Sequence, residues 1–193
     1  MANTSIADGV LIRRYLEGNA AAFEILVNRH KDRIYGSVLN IVNDTYLAED
    51  IFQETFIKII HNIKKGSYNH EDKFLPWALR IARNMAIDNL RRKKRMPNVV
   101  TSDGSDLFET LLIADKSQED IRIEQEEHAE LYRWIRLLPE EQREVLVLRS
   151  YADLSFKEIA AITDTNINTC IGRMHYALTN LRKLSEKNSV RIK

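Results

Sequence analysis

The sequence is poor in the residues that interrupt helices and in thiols. Of its 193 residues, six are glycine, three are proline and one is cysteine. Few glycines and prolines favour helices joined by short connections over a β architecture with many turns. The single cysteine, Cys170, excludes an intramolecular disulfide framework and argues against a metal site built on thiolates.

Long hydrophobic runs are also missing. No stretch approaches the roughly 18 apolar residues of a membrane-spanning helix, and the first ten residues lack the basic and apolar regions of a signal peptide. We therefore expect a cytoplasmic protein without membrane insertion. The sequence has no glycine-rich phosphate loop, nucleophile motif or cluster of metal ligands. We expect no enzyme activity, no cofactor, no metal and no small-molecule substrate.

The formal net charge of +1 hides a separation of charge along the chain. Residues 73–95 contain eight lysines or arginines and one acid, whereas residues 96–130 contain ten acids and two lysines or arginines. Two solvated surfaces that balance each other would explain this pattern. The functional interpretation is a basic helix end that binds an anionic partner, followed in the chain by an acidic connector.

Apolar residues recur at helical spacing over most of the chain and predict an all-α protein. A short helix over 8–17 should end at Gly18, and three longer helices should follow. Their predicted inward positions, with His30 as a packed histidine, are Phe23, Val27, His30, Ile34, Val38 and Ile41, then Leu47, Ile51, Thr55 and Ile59, then Phe74, Ala78, Ile81 and Met85. Trp77 follows Phe74 by three positions and is also predicted to be a core residue.

The composition changes after residue 95, where polar residues, a proline and a glycine replace the helical pattern. We predict two small helical domains, 1–95 and 128–193, joined by a flexible acidic linker over 96–127. Helix formation should resume with a capping-box spacing from Ser117 to Asp120. Further helices should end at Leu138, begin at Pro139, cover 155–163 and cover 168–185.

The last two predicted helices have the spacing of a helix-turn-helix. Ile159 and Ile162 should face inward on the first, and Cys170, Met174, Ala177, Leu178 and Leu181 on the second. The outward positions, which suit a DNA major groove, are Asn168, Thr169, Ile171, Gly172, Arg173, His175, Tyr176 and Thr179. A helical bundle without a DNA role would show a similar pattern.

Three N-terminal segments resemble region 2 of bacterial sigma factors. AEDIFQETF (48–56) is similar to the AED-x-x-QE-x-F signature, GNAAAFEIL (18–26) to the preceding helix opening, and FLPWALRIARNMAIDNLRR (74–92) to the end of that region. LPEEQREVLVL (138–148), LSFKEIAAI (154–162) and the following helix resemble region 4. No room remains for region 3, so the resemblance is to the compact extracytoplasmic-function (ECF) group.

The resemblance implies an alternative sigma factor that binds core RNA polymerase and promoter DNA, with an anti-sigma protein as a further partner. Region 2 would bind polymerase, and the residues that match the family's polymerase surface are Asp50, Gln53, Glu54 and His61. The expected −10 element residues, on the basic helix and the loop before it, are Lys65, Tyr68, Asn69, Arg80, Asn84, Arg91, Arg92 and Arg95. The outward face of the last helix would read the −35 element.

The sequence departs from the family where Asp164 replaces a common glycine, and where Ile171, Tyr176 and Leu178 stand at positions that are often basic. We therefore expect a −35 specificity particular to this chain. A dimeric helix-turn-helix regulator that acts without polymerase would explain residues 154–184 but not the 48–56 segment. A helical adaptor without any effect on DNA remains a third interpretation.

Overall fold

The computed structural model describes residues 6–69, 73–95 and 131–189, and the regular elements in these ranges are all α-helices. The chain separates into two compact units, Met1–Thr101 and Ser102–Lys193. The all-α prediction with two helical domains is therefore confirmed. The predicted linker over 96–127, including the capping box at Ser117, lies outside the described residues, so the predicted domain bounds stay predictions.

Four helices build the N-terminal unit: α1 (Asp8–Leu16), α2 (Ala20–Val42), α3 (Thr45–Lys64) and α4 (Phe74–Arg95). Their ends follow local signals. The side chains of Asn19 and Asp44 accept hydrogen bonds from the first-turn amides of α2 and α3. Gly18 at φ +99° ends α1. Helices α2, α3 and α4 pack against one another, and the largest fully buried side chains between them are Leu26, Ile34, Val38, Ile51, Ile59, Ile63, Phe74 and Leu79.

Asp8 attaches α1 to α2. Its carboxylate lies 2.6 Å from Nη1 of Arg29 and 2.8 Å from Nε2 of His30. His30 is buried, as predicted. Burial alone would raise the pKa of Asp8, but the hydrogen bonds and positive charges of His30 and Arg29 outweigh it, and the pKa is lowered.

Four helices build the described part of the C-terminal unit: α5 (131–136), α6 (Glu140–Ser150), α7 (Phe156–Thr163) and α8 (Ile167–Ser189). Ser155 and Glu158 form the predicted capping box. Pro139 is not the first helical residue but precedes it, in an extended conformation. Its carbonyl accepts from the amides of Gln142 and Arg143, both at 3.0 Å, so it closes the first turn of α6.

Several predicted inward positions are only half-buried. In the N-terminal unit the neighbouring residue is the buried one, and these positions are Phe23, Val27, Ile41, Leu47, Ile81 and Met85; in the C-terminal unit they are Met174 and Leu181. On α4, the buried line consists largely of Ala78, Ala82 and Ala86, whose small side chains let neighbouring helices approach closely. Leu178 is 48% exposed rather than buried, because Ala177 occupies the inward position and each residue turns the helix by about 100°.

Candidate functional site: partner and nucleic-acid surfaces

The outer face of α3 carries the polar residues that the family signature placed on a protein interface. Asp50, Gln53, Glu54 and His61 are all exposed, and their spacing sets them on one side of the helix. The opposite side is anchored by Ile51, Thr55 and Ile59, which are buried. The hydroxyl of Thr55 donates to the Ile51 carbonyl at 2.7 Å, which satisfies the polar atom within the core.

Two large apolar residues share that outer face, and sequence reasoning missed both. Tyr46 is 81% exposed and Ile57 is 67% exposed. Ile57 follows Asp50 by seven positions, so the two lie in line along the helix. The signal that could have found them is an apolar residue at the spacing of the polar face. We refer to Tyr46, Asp50, Gln53, Glu54, Ile57 and His61 as the α3 face.

The basic side of α4 is exposed as predicted. Arg80, Asn84, Arg91 and Arg92 all point to solvent. The contact between Arg91 and Asp88 is long, at 3.8 Å, and both side chains are more than half exposed. Such a pair contributes little to stability and leaves the guanidinium accessible to phosphate. Arg95 ends α4, and its side chain lies outside the described part.

An aromatic cluster lies at the start of α4, where the preceding loop reaches it. The Tyr68 ring lies 4.7 Å from that of Trp77 and 6.3 Å from that of Phe74. Trp77 is half-buried, which corrects its prediction as a core residue: Phe74 fills the core, and Trp77 covers it from the rim. Lys65 and Asn69, which flank Tyr68 in the loop, are exposed.

This cluster continues into the basic side of α4. Trp77 precedes Arg80 by three residues and Asn84 by seven, so all three lie on neighbouring lines of one helix. Half-buried aromatic rings beside exposed amide and guanidinium groups suit an unstacked base and its phosphates. The loop residues 70–72 lie outside the described ranges.

The helix-turn-helix is formed by α7 and α8. Asp164 lies in the left-handed region at φ 55°, a conformation that aspartate tolerates better than most residues, so the family's glycine is not required. Cys170 is fully buried, and its sulfur lies 3.1 Å from the Thr165 hydroxyl oxygen. Cys170 is thus a small core residue, as predicted.

The structure brings seven of the eight predicted outward residues of α8 to the side away from its core, whereas Arg173 lies at the border of the core, within about 60° of the buried Cys170 and Ala177. Those that are exposed are Asn168, Thr169, Ile171, His175 and Tyr176, and those that are half-buried are Gly172, Arg173 and Thr179. The Thr179 hydroxyl donates to the His175 carbonyl at 2.9 Å. The His175 and Tyr176 rings lie 5.9 Å apart. The face combines hydrogen-bonding, aromatic and aliphatic groups, which suits the varied edges of base pairs.

Neither a metal site nor a membrane-spanning helix occurs among the described residues. No group of three or more histidine, cysteine, aspartate or glutamate residues there is arranged to hold a metal ion. None of the helices in the described ranges has the length and apolar character needed to span a membrane.

Comparisons with known proteins place the α3 face and the basic side of α4 in one matched region and the outward face of α8 in another. Residues 26–96 match the family Sigma-70 region 2, and residues 128–181 match the family Sigma-70, region 4. The chain is 31% identical over 178 residues to the RNA polymerase sigma-H factor of Pseudomonas aeruginosa, covering 90% of this chain and 91% of that protein. It is 31% identical over 176 residues to the ECF RNA polymerase sigma factor SigW of Bacillus subtilis, covering 89% and 93%.

Solved structures show the same fold. The sigma factor RpoE of Bartonella quintana, in a co-crystal structure with the anti-sigma factor NepR, has a TM-score of 0.64 at 19% identity and covers 85% of this chain and 96% of its own. CnrH, in complex with the cytosolic domain of CnrY, has a TM-score of 0.63 at 22% identity and covers 94% and 99%. At these identities the likeness concerns the fold alone.

Proposed function

Because this chain belongs to the extracytoplasmic-function group of sigma-70 type RNA polymerase sigma factors, we propose that its two units bind polymerase and two promoter elements at the same time. The chain is an alternative sigma factor, which binds core RNA polymerase and directs transcription initiation at specific promoters. We also propose which residues bind polymerase and promoter DNA. We further propose that the protein acts in the cytoplasm and initiates transcription without catalysing a reaction of its own.

In the N-terminal unit, the α3 face binds the polymerase. Its carboxylates and amide form specific hydrogen bonds, and Tyr46 and Ile57 contribute apolar surface that is buried on association. A combination of polar and apolar contacts is typical of protein interfaces. It is supported by the buried inner side of α3, which fixes the outer side chains on a rigid helix.

The basic side of α4 binds the −10 element. Arg80, Arg91 and Arg92 neutralise phosphates and release counterions, which makes binding depend on salt. Tyr68 and Trp77 offer rings on which an unstacked base packs, and Asn69 offers an amide that hydrogen-bonds a base edge. Strand opening is thereby favoured because the single-stranded form gains contacts that the duplex lacks.

The C-terminal unit reads the −35 element through α8. The outward residues of this helix enter the major groove, where base edges differ in their donor and acceptor pattern. An anti-sigma protein is a further proposed partner, because the Bartonella quintana relative is described in complex with one.

The observation that carries the proposal is that one chain has both exposed surfaces, the α3 face within a region 2 match and the outer face of α8 within a region 4 match. A dimeric regulator would need only the second. Purified protein, core polymerase and a promoter library should give mapped transcript starts only when protein and polymerase are both present. Operator binding without polymerase would instead indicate a regulator, and no effect on DNA an adaptor.

Charge reversal tests the −10 surface within the same assay. The double change Arg91→Glu and Arg92→Glu should weaken open-complex formation on a supercoiled promoter. It should also lower the slope of log affinity against log salt by about two or more, because each lost phosphate contact removes about one unit. Lys31→Glu with Arg33→Glu is the matched control, since both residues are exposed on α2. Unchanged open-complex formation in the α4 variant would contradict the assignment.

A further inference from the structure

Gly172 occupies the centre of the outward face of α8. It lies nearly opposite the buried line of Cys170 and Ala177, with Asn168 one turn before it and Tyr176 one turn after it. Glycine is among the least favourable residues inside a helix. A Cβ atom added to Gly172 would meet nothing within 4 Å. Packing within the described part of the chain therefore gives no reason for a glycine at this position.

An aliphatic line runs beside Gly172 along the same helix. Ile171 is 45% exposed, and Ile167 and Leu178 are exposed beside it at helical spacing. These side chains cannot donate hydrogen bonds to phosphates or base edges. The apolar group that a major groove offers them is the C5-methyl of thymine.

The charge of α8 favours an anionic occupant over a basic or neutral protein surface, and the match of this helix to Sigma-70, region 4 favours DNA among anionic occupants. Residues 167–185 contain no aspartate or glutamate, and they include Arg173, Arg182 and Lys183. A helix with this composition is attracted to phosphates on either side of a groove. The aliphatic line is thus flanked by groups that suit a duplex.

We propose that Ile171 reads a thymine in the −35 element by packing on its C5-methyl group, and that Gly172 is the point where α8 approaches the DNA most closely. The inference rests on the proposed function, in which α8 enters the −35 major groove. It assigns a class of base to one residue, at a position where the family often has a basic side chain. Because glycine has no Cβ, the helix backbone lies deeper in the groove and brings Ile171 to the methyl.

The test of Ile171 uses the complete holoenzyme and promoters with a randomised −35 element. Wild-type protein should select a thymine at one or more positions, and Ile171→Ala should lose the preference at one of them. Replacing that thymine by deoxyuridine removes only the methyl and should lower promoter use by the wild type about fourfold, the factor for about 0.8 kcal/mol per buried methyl. The same replacement should leave Ile171→Ala unaffected. Leu137→Ala, at an aliphatic residue 67% exposed outside α8, is the matched control and should keep the wild-type response.

The test of Gly172 separates stability from DNA binding. Gly172→Ala should raise the melting temperature of the complete chain, because alanine favours the helix and the added Cβ has open space. It should at the same time lower −35-dependent transcription. Unchanged transcription would overturn the close approach.

Different failures point to different conclusions. Wild-type holoenzyme that starts specifically but is indifferent to deoxyuridine throughout the −35 element would overturn the methyl contact and leave the proposed function standing. A preference for thymine that survives in Ile171→Ala would also overturn it. Absence of any specific start with core polymerase would instead contradict the proposed function.

Discussion

Asp8 is the acidic side chain that holds α1 against α2, through contacts to residues 21 and 22 positions later in the chain. Its carboxylate satisfies a nitrogen of the buried His30. The other ring nitrogen, Nδ1, is buried without a hydrogen-bond partner among the described residues. Loss of the carboxylate would therefore leave the histidine without either contact.

The lowered pKa of Asp8 predicts how stability depends on pH. Because the folded-state pKa lies below the ordinary value of 3.8, the carboxylate stabilises the fold above about pH 4, and this contribution is lost as the pH falls through the lower folded-state pKa. Asp8→Asn should lower the free energy of unfolding at pH 7 by about 1–3 kcal/mol. It should also flatten the decline below pH 4 in urea titrations.

Asp32→Asn is the matched control for this effect, because Asp32 is exposed on α2 and an exposed change is usually within about 0.5 kcal/mol. If Asp8→Asn and Asp32→Asn gave the same stability at pH 7, the carboxylate would have no role in attaching α1.

At the scale of the helix, the α3 face makes a second prediction. Tyr46→Ala and Ile57→Ala should each raise the dissociation constant for core polymerase by about tenfold, which corresponds to about 1.4 kcal/mol and is typical of central apolar anchors. The fold should keep its stability, since both side chains are exposed. Competition of unlabelled variants against a fluorescent wild-type chain for core enzyme would measure the change.

Leu16→Ala on α1 controls for a general loss of exposed apolar surface, because Leu16 is also large and exposed. Equal affinities for Leu16→Ala and Ile57→Ala would show that the α3 face is not the polymerase surface.

Helix existence could be predicted from the sequence, and helix ends to within a few residues, whereas the residue at the centre of each buried line could not. The ends depend on local signals, such as the Ser155 capping box and Gly18, which need no knowledge of the rest of the fold. The burial of Ala82 instead of Ile81 depends on how closely two neighbouring helices approach, which is set by residues far away in the chain. The same holds for the contact of Asp8 with His30.

The candidate site divides in the same way. Polar residues at fixed spacing, such as Asp50 and Glu54, could be placed on one exposed face from the signature alone. The same spacing also places Tyr46 and Ile57 on that face, but they were missed because an apolar residue on a helix is ordinarily expected to face the core. Trp77 was misplaced for a related reason: its spacing from Phe74 fits both the core and its rim. Contact of these residues with polymerase or DNA stays a prediction.

At the scale of the whole molecule, the proposal has each unit bind its own target, and neither needs to bind it tightly alone. A linker between two weak binders makes the second contact effectively intramolecular, and the gain is commonly a factor of about a hundred to ten thousand. The segment between the units is acidic, so phosphates should repel it. We therefore expect the linker to connect the units without competing for the promoter.

Cutting the chain between the units tests this coupling. A protease site inserted between Gly104 and Ser105 should leave transcription intact before cleavage. After cleavage, initiation at promoters that need both elements should fall by about a hundredfold or more, because binding at −35 no longer raises the local concentration of the N-terminal unit. Mutation of the −35 element should lower initiation by the uncut protein and leave initiation by the cut protein unchanged. Size-exclusion chromatography of the cut sample establishes whether the halves have separated. Full activity from separated halves would mean that each unit binds its target tightly enough alone, and the tether would have no energetic role.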